Sequence, residues 1–342
     1  MHDLLPQDYC SFVNYGVGVS APTLITRWMM DSEFIARPLE SVETHMAADV
    51  TVVKEQTILA LKRKLPEIEN LPEWDKKKGN IPIAIVGGGP SLKYTVDELR
   101  NFPKIIACGG THDWLVENNI QFDYCLVLDP DALCAWYLSK PQPTCTYLIA
   151  SYCHPDVFNA LEGYPVVRWH CAGLDMEWMV EQWQAAGIID EDGKKPLIGG
   201  GCTCGLRAIT MAMMLGYKNM HLFGLDSNRD FNDDAHHVYE YKDPVREDQG
   251  EPVVMHLGSA QTGRRFKRDK YMMAQLWGFK ELVSKYGHYF DITVHGDSIL
   301  YEFMRLRRLI KDNKELEKEL EFHRAKDLIQ IDIKNSPEKA VA

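Results

Sequence analysis

From residue 81 onward the chain alternates short, uninterrupted apolar runs with stretches of helical spacing, and few folds accommodate that rhythm. The runs are IPIAIV (81–86), KIIAC (104–108), DYCLVL (123–128), CTYLIA (145–150), YPVVRW (164–169), NMHLFG (219–224) and YFDITVHG (289–296). Between them lie SLKYTVDELRNF, DMEWMVEQWQAA and CGLRAITMAMMLG, whose apolar residues recur at helical intervals. A strand with one wet face alternates polar and apolar residues, whereas most of these strands are apolar at consecutive positions and need cover on both faces. The pattern predicts an α/β fold: a Rossmann-like, mostly parallel sheet with helices on both faces, binding its ligand at the carboxyl ends of the strands.

The flanks read differently. Residues 1–78 are mostly helix-favouring and end in a polar connector, and the sheet-bearing domain is expected over 79–300. Residues 301–342 predict a charged C-terminal helix and tail. There Leu306, Leu309, Asn313, Leu316 and Leu320 follow alternating steps of three and four, a spacing that suits either a homodimer seam or a stripe packed on its own domain. Between 226 and 265 the chain is charged and without a clear period, and because it leaves directly from a strand end it is expected to be a lid.

Composition narrows the partners. A formal net charge of -11 argues against a nucleic-acid surface, so an anionic ligand must be held locally. No apolar run approaches the roughly 20 residues of a membrane helix, and the start lacks a basic region followed by an apolar core. Nine cysteines, an odd count without a CxxC pair, read as reduced and buried thiols of a cytoplasmic protein.

Two glycine clusters carry the candidate chemistry. Gly87, Gly88 and Gly89 follow the first strand, and Pro90 and Ser91 suit the start of a helix. Glycines let backbone approach a phosphate, and a helix terminus offers donors and a favourable dipole. A side chain at Gly89, as in Gly89→Val, is expected to block the ligand and spare the fold. The corner lacks the last glycine of G-x-G-x-x-G, Leu92 standing there, and no GK[ST] follows, so it is neither a dinucleotide fingerprint nor a P-loop. The second cluster, IGGGCTCGLRA (198–208), brings Gly200, Gly201 and Thr203 to another helix start. Cys202 and Cys204 are better read there as small packing residues than as metal ligands. Asp129 in LVLDPD and Asp226 in FGLDSN fall at strand ends, where carboxylates hold Mg²⁺ against phosphates or grip a hydroxyl. His236 and His237 follow in the expected lid, where an imidazole could exchange a proton near neutral pH.

GGGPSL (87–92), CGGTHDWLVENNIQFDYCLVLDP (108–130) and GGGCTCGLRAITMAMMLGYKNMHLFGLD (199–226), in that order, resemble the MptE-like family. That family groups archaeal 6-hydroxymethylpterin diphosphokinases with motility-associated glycosylation factors, on a fold similar to that of sialyltransferases. The resemblance covers roughly residues 75–300. It implies that Gly87 to Ser91 line nucleotide phosphates, that Gly109, Gly110 and Thr111 lie near the ribose or base, and that Asp129 approaches the sugar or a metal. Gly200 to Thr203 would form the opposite wall and Asp226 the reactive centre, with His236 or His237 as base in a sialyltransferase-like reaction. The implied activity is a Mg²⁺-dependent diphosphokinase moving diphosphate from ATP to a hydroxymethyl heterocycle. The alternatives are a glycosyltransferase using a nucleotide-activated acidic sugar, or a nucleotide-binding module without turnover.

Overall fold

A computed structural model of the chain describes residues 49–74, 76, 78–172, 176–188, 195–239, 253–257, 264–268, 270–312 and 329–331. Its centre is an eight-stranded parallel sheet. The strands are β1 (Pro82–Val86), β2 (Ile105–Cys108), β3 (Tyr124–Val127), β4 (Thr146–Ala150), β5 (Val166–Cys171), β6 (Leu197–Ile198), β7 (Asn219–Phe223) and β10 (Asp291–Val294), in the order β10-β7-β1-β2-β3-β4-β5-β6. β1 sits inside it, with Ile85 in register with Ile106 on one side and Leu222 on the other. All residues of β2, β3 and β5 are buried, as their unbroken apolar character requires.

The chain winds outward from β1 to β6 and then crosses back to lay β7 on the other side of β1. Strand order therefore reverses between β1 and β7, the position at which an open parallel sheet places its ligand crevice, beyond the carboxyl ends of the strands. The glycine corner after β1 and the FGLD segment after β7 are these two loops.

The surrounding helices are α1 (Val50–Leu61), the single turn α2 (Leu92–Thr95), α3 (Thr111–Glu117), α4 (Pro155–Ala160), α5 (Met176–Ala185), α6 (Cys204–Met214), α7 (Lys270–Tyr286) and α8 (Ile299–Asp312). α6 is buried along nearly its whole length and packs across β1, β2, β3 and β6. α1 starts at Asp49, whose side chain accepts from Thr51 N–H, and it places Val53, Ala60 and Leu61 in the common core against α4 and α5. No helix among the described residues is long and apolar enough to cross a membrane.

Three sequence expectations change. The 226–265 stretch is not one irregular lid, because β8 (Val253–Leu257) pairs antiparallel with β9 (Arg264–Arg268) in a second sheet. β11 (Ile329–Ile331) adds to β8, so the C-terminal segment contributes a strand as well as α8. The helix after the first glycine corner is one α-turn continued as a 3-10 turn over Val96–Asn101, which leaves little aligned dipole at that corner. Leu306 packs on the common core, as an intramolecular stripe would, while Asn313, Leu316 and Leu320 lie outside the described residues.

Candidate functional site

A cavity of about 330 Å³ opens at the β1/β7 reversal. Its walls come from the turn after β1, the turn after β2, Asp129 and Asp131 beyond β3, the first turn of α6, and the segment 224–239 that returns over the sheet edge. Gly87, Gly88, Gly89, Gly109, Gly110, Asp129, Thr203, Asp226, His236 and His237 all line it. Sequence reasoning thus brought residues from five separate loops to one place.

Pro90, Ser91, Thr111, Gly200 and Gly201 are not part of that wall. Thr111 is fully buried in the first turn of α3. Gly200 and Gly201 have φ of +119° and +105° and press against α6, where a Cβ would strike Thr210 and Leu206 respectively. The carbonyls of Gly201 and Ile198 serve the same packing, since the buried Arg207 guanidinium donates to Gly201 O at 3.1 Å and Ile198 O at 2.8 Å. The second cluster is a packing turn that sets the position of α6. The helix's own first turn, at Thr203, Cys204 and Gly205, is what reaches the cavity.

The first corner is stitched to the end of β7. Gly87 N–H donates to Phe223 O at 2.8 Å and Gly89 N–H to Gly224 O at 2.7 Å. Ser91 gives both of its donors to Asp226: N–H to Oδ2 and Oγ–H to Oδ1, each at 2.6 Å. These donors, expected to face an anion, are spent within the protein. The close approach explains the glycines, because a Cβ at Gly87 or Gly89 would lie 2.7 Å from Gly224 O. Gly224 itself is left-handed at φ +59°.

Asp226 is therefore placed differently from a metal ligand in open solvent. It is 3% exposed, and burial pushes its carboxyl up to about 7, against the downward pull of the two Ser91 bonds, with Asp297 and Asp230 adding like charge. The backbone around it docks α8, as Asp226 O and Asn228 Oδ1 both accept from Ile299 N–H.

Asp129 lines the cavity while its Oδ1 accepts from Asp131 N–H at 3.1 Å, the turn-capping role open to any Asp before Pro. Among the described residues no three or more His, Cys, Asp or Glu side chains converge as a metal cage. Mg²⁺ does not require one, since it takes one or two carboxylates and completes its shell with phosphate and water. Asp129 and Asp131 fit that demand; Asp226, committed to Ser91, fits it poorly.

The segment 226–239 is docked over the cavity. Lys93 bridges Asp230 at 2.7 Å and Asp233 at 3.1 Å, and Val238 N–H donates to Gly88 O at 2.9 Å. His236 and His237 stand on the wall with their Nδ1 atoms 3.2 Å apart. Sequence reasoning missed Tyr137 and Tyr239, which are wall residues too. Tyr239 showed only as an aromatic residue in a polar stretch and Tyr137 only as one of the apolar residues of ALCAWYL, and the two lie far apart in sequence. Cys108 and Cys204 also line the cavity as free thiols; the hydrogen bond with Cys108, then burial, pushes Cys204 well above the ordinary thiol range.

Fold and site together define a doubly wound α/β protein with a single-turn glycine corner at the point of strand reversal. The chain belongs to the MptE-like family: the family model described as 6-hydroxymethylpterin diphosphokinase MptE-like matches residues 57–229. Among solved structures, a MAf glycosyltransferase from Magnetospirillum magneticum AMB-1 superposes with a TM-score of 0.54 at 16% identity. That match covers 81% of this chain and 40% of the other, and it shows a shared fold. A mammalian sialyltransferase in complex with Gal-beta-1-3GalNAc-ortho-nitrophenol aligns with a TM-score of 0.33 at 11% identity, over 73% of this chain and 87% of that one. Comparison with curated proteins gives no match.

Proposed function

We propose that the protein is a nucleotide-dependent transferase, and that its reaction is diphosphate transfer from ATP to the hydroxymethyl group of a flat heterocycle. The observation that carries this is the convergence of Asp129, the α6 terminus and the 224–239 segment on one cavity at the strand reversal, in a chain of the MptE-like family. The phosphate chain would lie at the first turn of α6, whose Thr203, Cys204 and Gly205 line the cavity and whose uncapped N–H groups would serve as donors, because the donors of the first glycine corner are largely spent. Asp129 and Asp131 would hold Mg²⁺, which when bound supplies neutralisation of phosphate charge. The remaining work is positioning, the main demand of phosphoryl-type transfer.

A second reading is favoured by one observation: two histidines, His236 and His237, stand on the cavity wall. Glycosyl transfer from a nucleotide-activated acidic sugar needs a base for the acceptor hydroxyl, and an imidazole there would serve. Asp226, turned inward to Ser91, would then orient the glycine corner instead of meeting a metal.

A thermal-shift panel of ATP, GTP, CTP, CMP and UDP, with and without Mg²⁺, tests nucleotide binding, since a ligand bound only by the native state raises its stability. Selective stabilisation by ATP with Mg²⁺, and release of AMP seen by phosphorus NMR when a hydroxymethylpterin is added, are the expected results. Stabilisation by CMP alone without metal would move the assignment to glycosyl transfer. No shift with any nucleotide would remove both.

A further inference from the structure

The three glycines of the first corner face three residues of one returning segment. Gly87 lies against Gly224 and Gly89 against Asp226, whereas Gly88 lies against the ring of Tyr239, in each case too closely for a Cβ. Gly110, at the second corner, meets the hydroxyl end of the same ring. Tyr239 thus spans the turns that follow β1 and β2. The Val238 N–H to Gly88 O bond holds its backbone there. Tyr137 and His237 flank the ring, with centroids 5.4 and 5.0 Å away, His237 in a stacked orientation.

Two side-chain-free backbone surfaces beside an aromatic neighbour are what a planar ligand ring needs for close contact. The Tyr137–Tyr239 separation is that of rings in direct contact, so a third ring cannot enter between them. A ligand ring must replace Tyr239. We propose that Tyr239 is a resident occupant of a ring-binding subsite formed by Gly88, Gly110 and Tyr137, and that the heterocycle of an incoming nucleotide displaces it. This rests on the nucleotide reading above and adds where the base goes: the ring at the β1 and β2 corners, the phosphates toward α6. Because His237 stacks on Tyr239, the same displacement shifts His237, so ring binding and placement of the imidazole become one event. If the seated state outweighs the open one by about ten to one, apparent affinity for a ringed ligand is lowered about tenfold.

Calorimetric titration of ATP and of inorganic tripolyphosphate, each with Mg²⁺, into wild type, Tyr239→Ala and Tyr239→Phe tests this. Tyr239→Ala should bind ATP about tenfold more tightly and tripolyphosphate within twofold of wild type, while Tyr239→Phe, which keeps the ring, should match wild type. Should the alanine variant fail to fold, Tyr239→Leu carries the same expectation without a planar ring. Unchanged or weaker ATP binding overturns the proposal, as does equal tightening of tripolyphosphate, which would make Tyr239 a block on phosphate. If no form binds ATP, the nucleotide reading fails and the seat is judged separately. N-ethylmaleimide should then label Cys108 and Cys204 several-fold faster in Tyr239→Ala than in wild type, while Cys145, buried away from the cavity wall, keeps its rate. Equal rates there would overturn the seat as well.

Discussion

Gly89 and Gly109 occupy equivalent corners after neighbouring strands, yet they are glycine for different reasons. A Cβ at Gly89 would lie 2.7 Å from both the Asp226 carboxylate and Gly224 O, whereas at Gly109, with φ +45°, it would meet nothing within 4 Å. Gly89→Ala should therefore lose stability through overpacking, about 1–3 kcal/mol, and Gly89→Val more. Gly109→Ala pays only for a left-handed backbone, about 1 kcal/mol. Urea denaturation of the two variants checks the order, and the expectation that a side chain at Gly89 would spare the fold gives way to it. Asp226 adds a pH dependence of definite sign. Its pKa rises from 3.8 to about 7 on folding, so the folded protein keeps a proton that the unfolded chain releases. That contribution is complete below 3.8 and is lost as pH climbs through about 7. Asp226→Asn has no such proton; its amide oxygen can still accept from Ser91 N–H while its NH₂ donates to Ser91 Oγ. Between pH 5 and pH 8 the wild type should lose urea stability relative to Asp226→Asn, and parallel curves would assign the proton elsewhere.

At the scale of elements, β5 and α1 show what an apolar run can conceal. VVRWHC reads as a buried strand, and it is one, but Arg168 and His170 are 1% and 0% exposed within it. Arg168 donates to Glu67 through Nε at 2.9 Å and also to Ala60 O and Arg63 O, so its guanidinium satisfies the carbonyls at the end of α1. His170 Nε2 lies 2.9 Å from Glu67 Oε2, and burial pushes its pKa down, so a neutral imidazole donates there. Burial pushes the Glu67 carboxyl up, but His170 and Arg168 outweigh it and hold the group at about 2. A depressed carboxyl stabilises the fold above 4.5 and loses that contribution as pH falls toward 2. Glu67→Gln leaves the Arg168 charge buried and should cost about 3–5 kcal/mol by urea denaturation, with Glu67→Gln/Arg168→Met recovering part. A double variant no better than the single would show that the carbonyl caps matter more than the charge. The same elements mark the limit of sequence reading. β1 to β4 were legible because a strand covered on both faces is written mostly in apolar residues, and β5, β7 and β10 because, Arg168 and His170 apart, their buried positions are apolar too. β6 is two residues long, and β9, RRFKR, belongs to a small sheet where charged side chains flank Phe266 on both sides, so neither carries that signature. Asp129 and Asp226 were legible as cavity residues from their place at strand ends, and His237 from following Asp226 within the returning segment. Tyr239 was not, because its role depends on Gly88 and Gly110, which only the folded chain brings near it.

Taken as a whole, the molecule joins an internally satisfied glycine corner to a cavity wall that holds three carboxylates and two histidines. Which of those groups the reaction depends on decides between the two transfers. In diphosphate transfer, charge neutralisation and positioning supply most of the catalysis, and Asp129 with Asp131 would serve that by holding Mg²⁺. His237→Ala should then cost less than tenfold in rate, while EDTA abolishes turnover. In glycosyl transfer the imidazole takes the acceptor proton in the transition state. There the same variant should lose about 10²- to 10⁴-fold in kcat with donor affinity kept, and the acid limb of the pH–rate profile should vanish with it. The family match leads us to expect the first pattern. Single-turnover rates of wild type and His237→Ala, each with and without EDTA, read both dependences in one experiment. A nearly dead His237→Ala beside a wild type that survives EDTA would sink diphosphate transfer and leave glycosyl transfer as the function of this cavity.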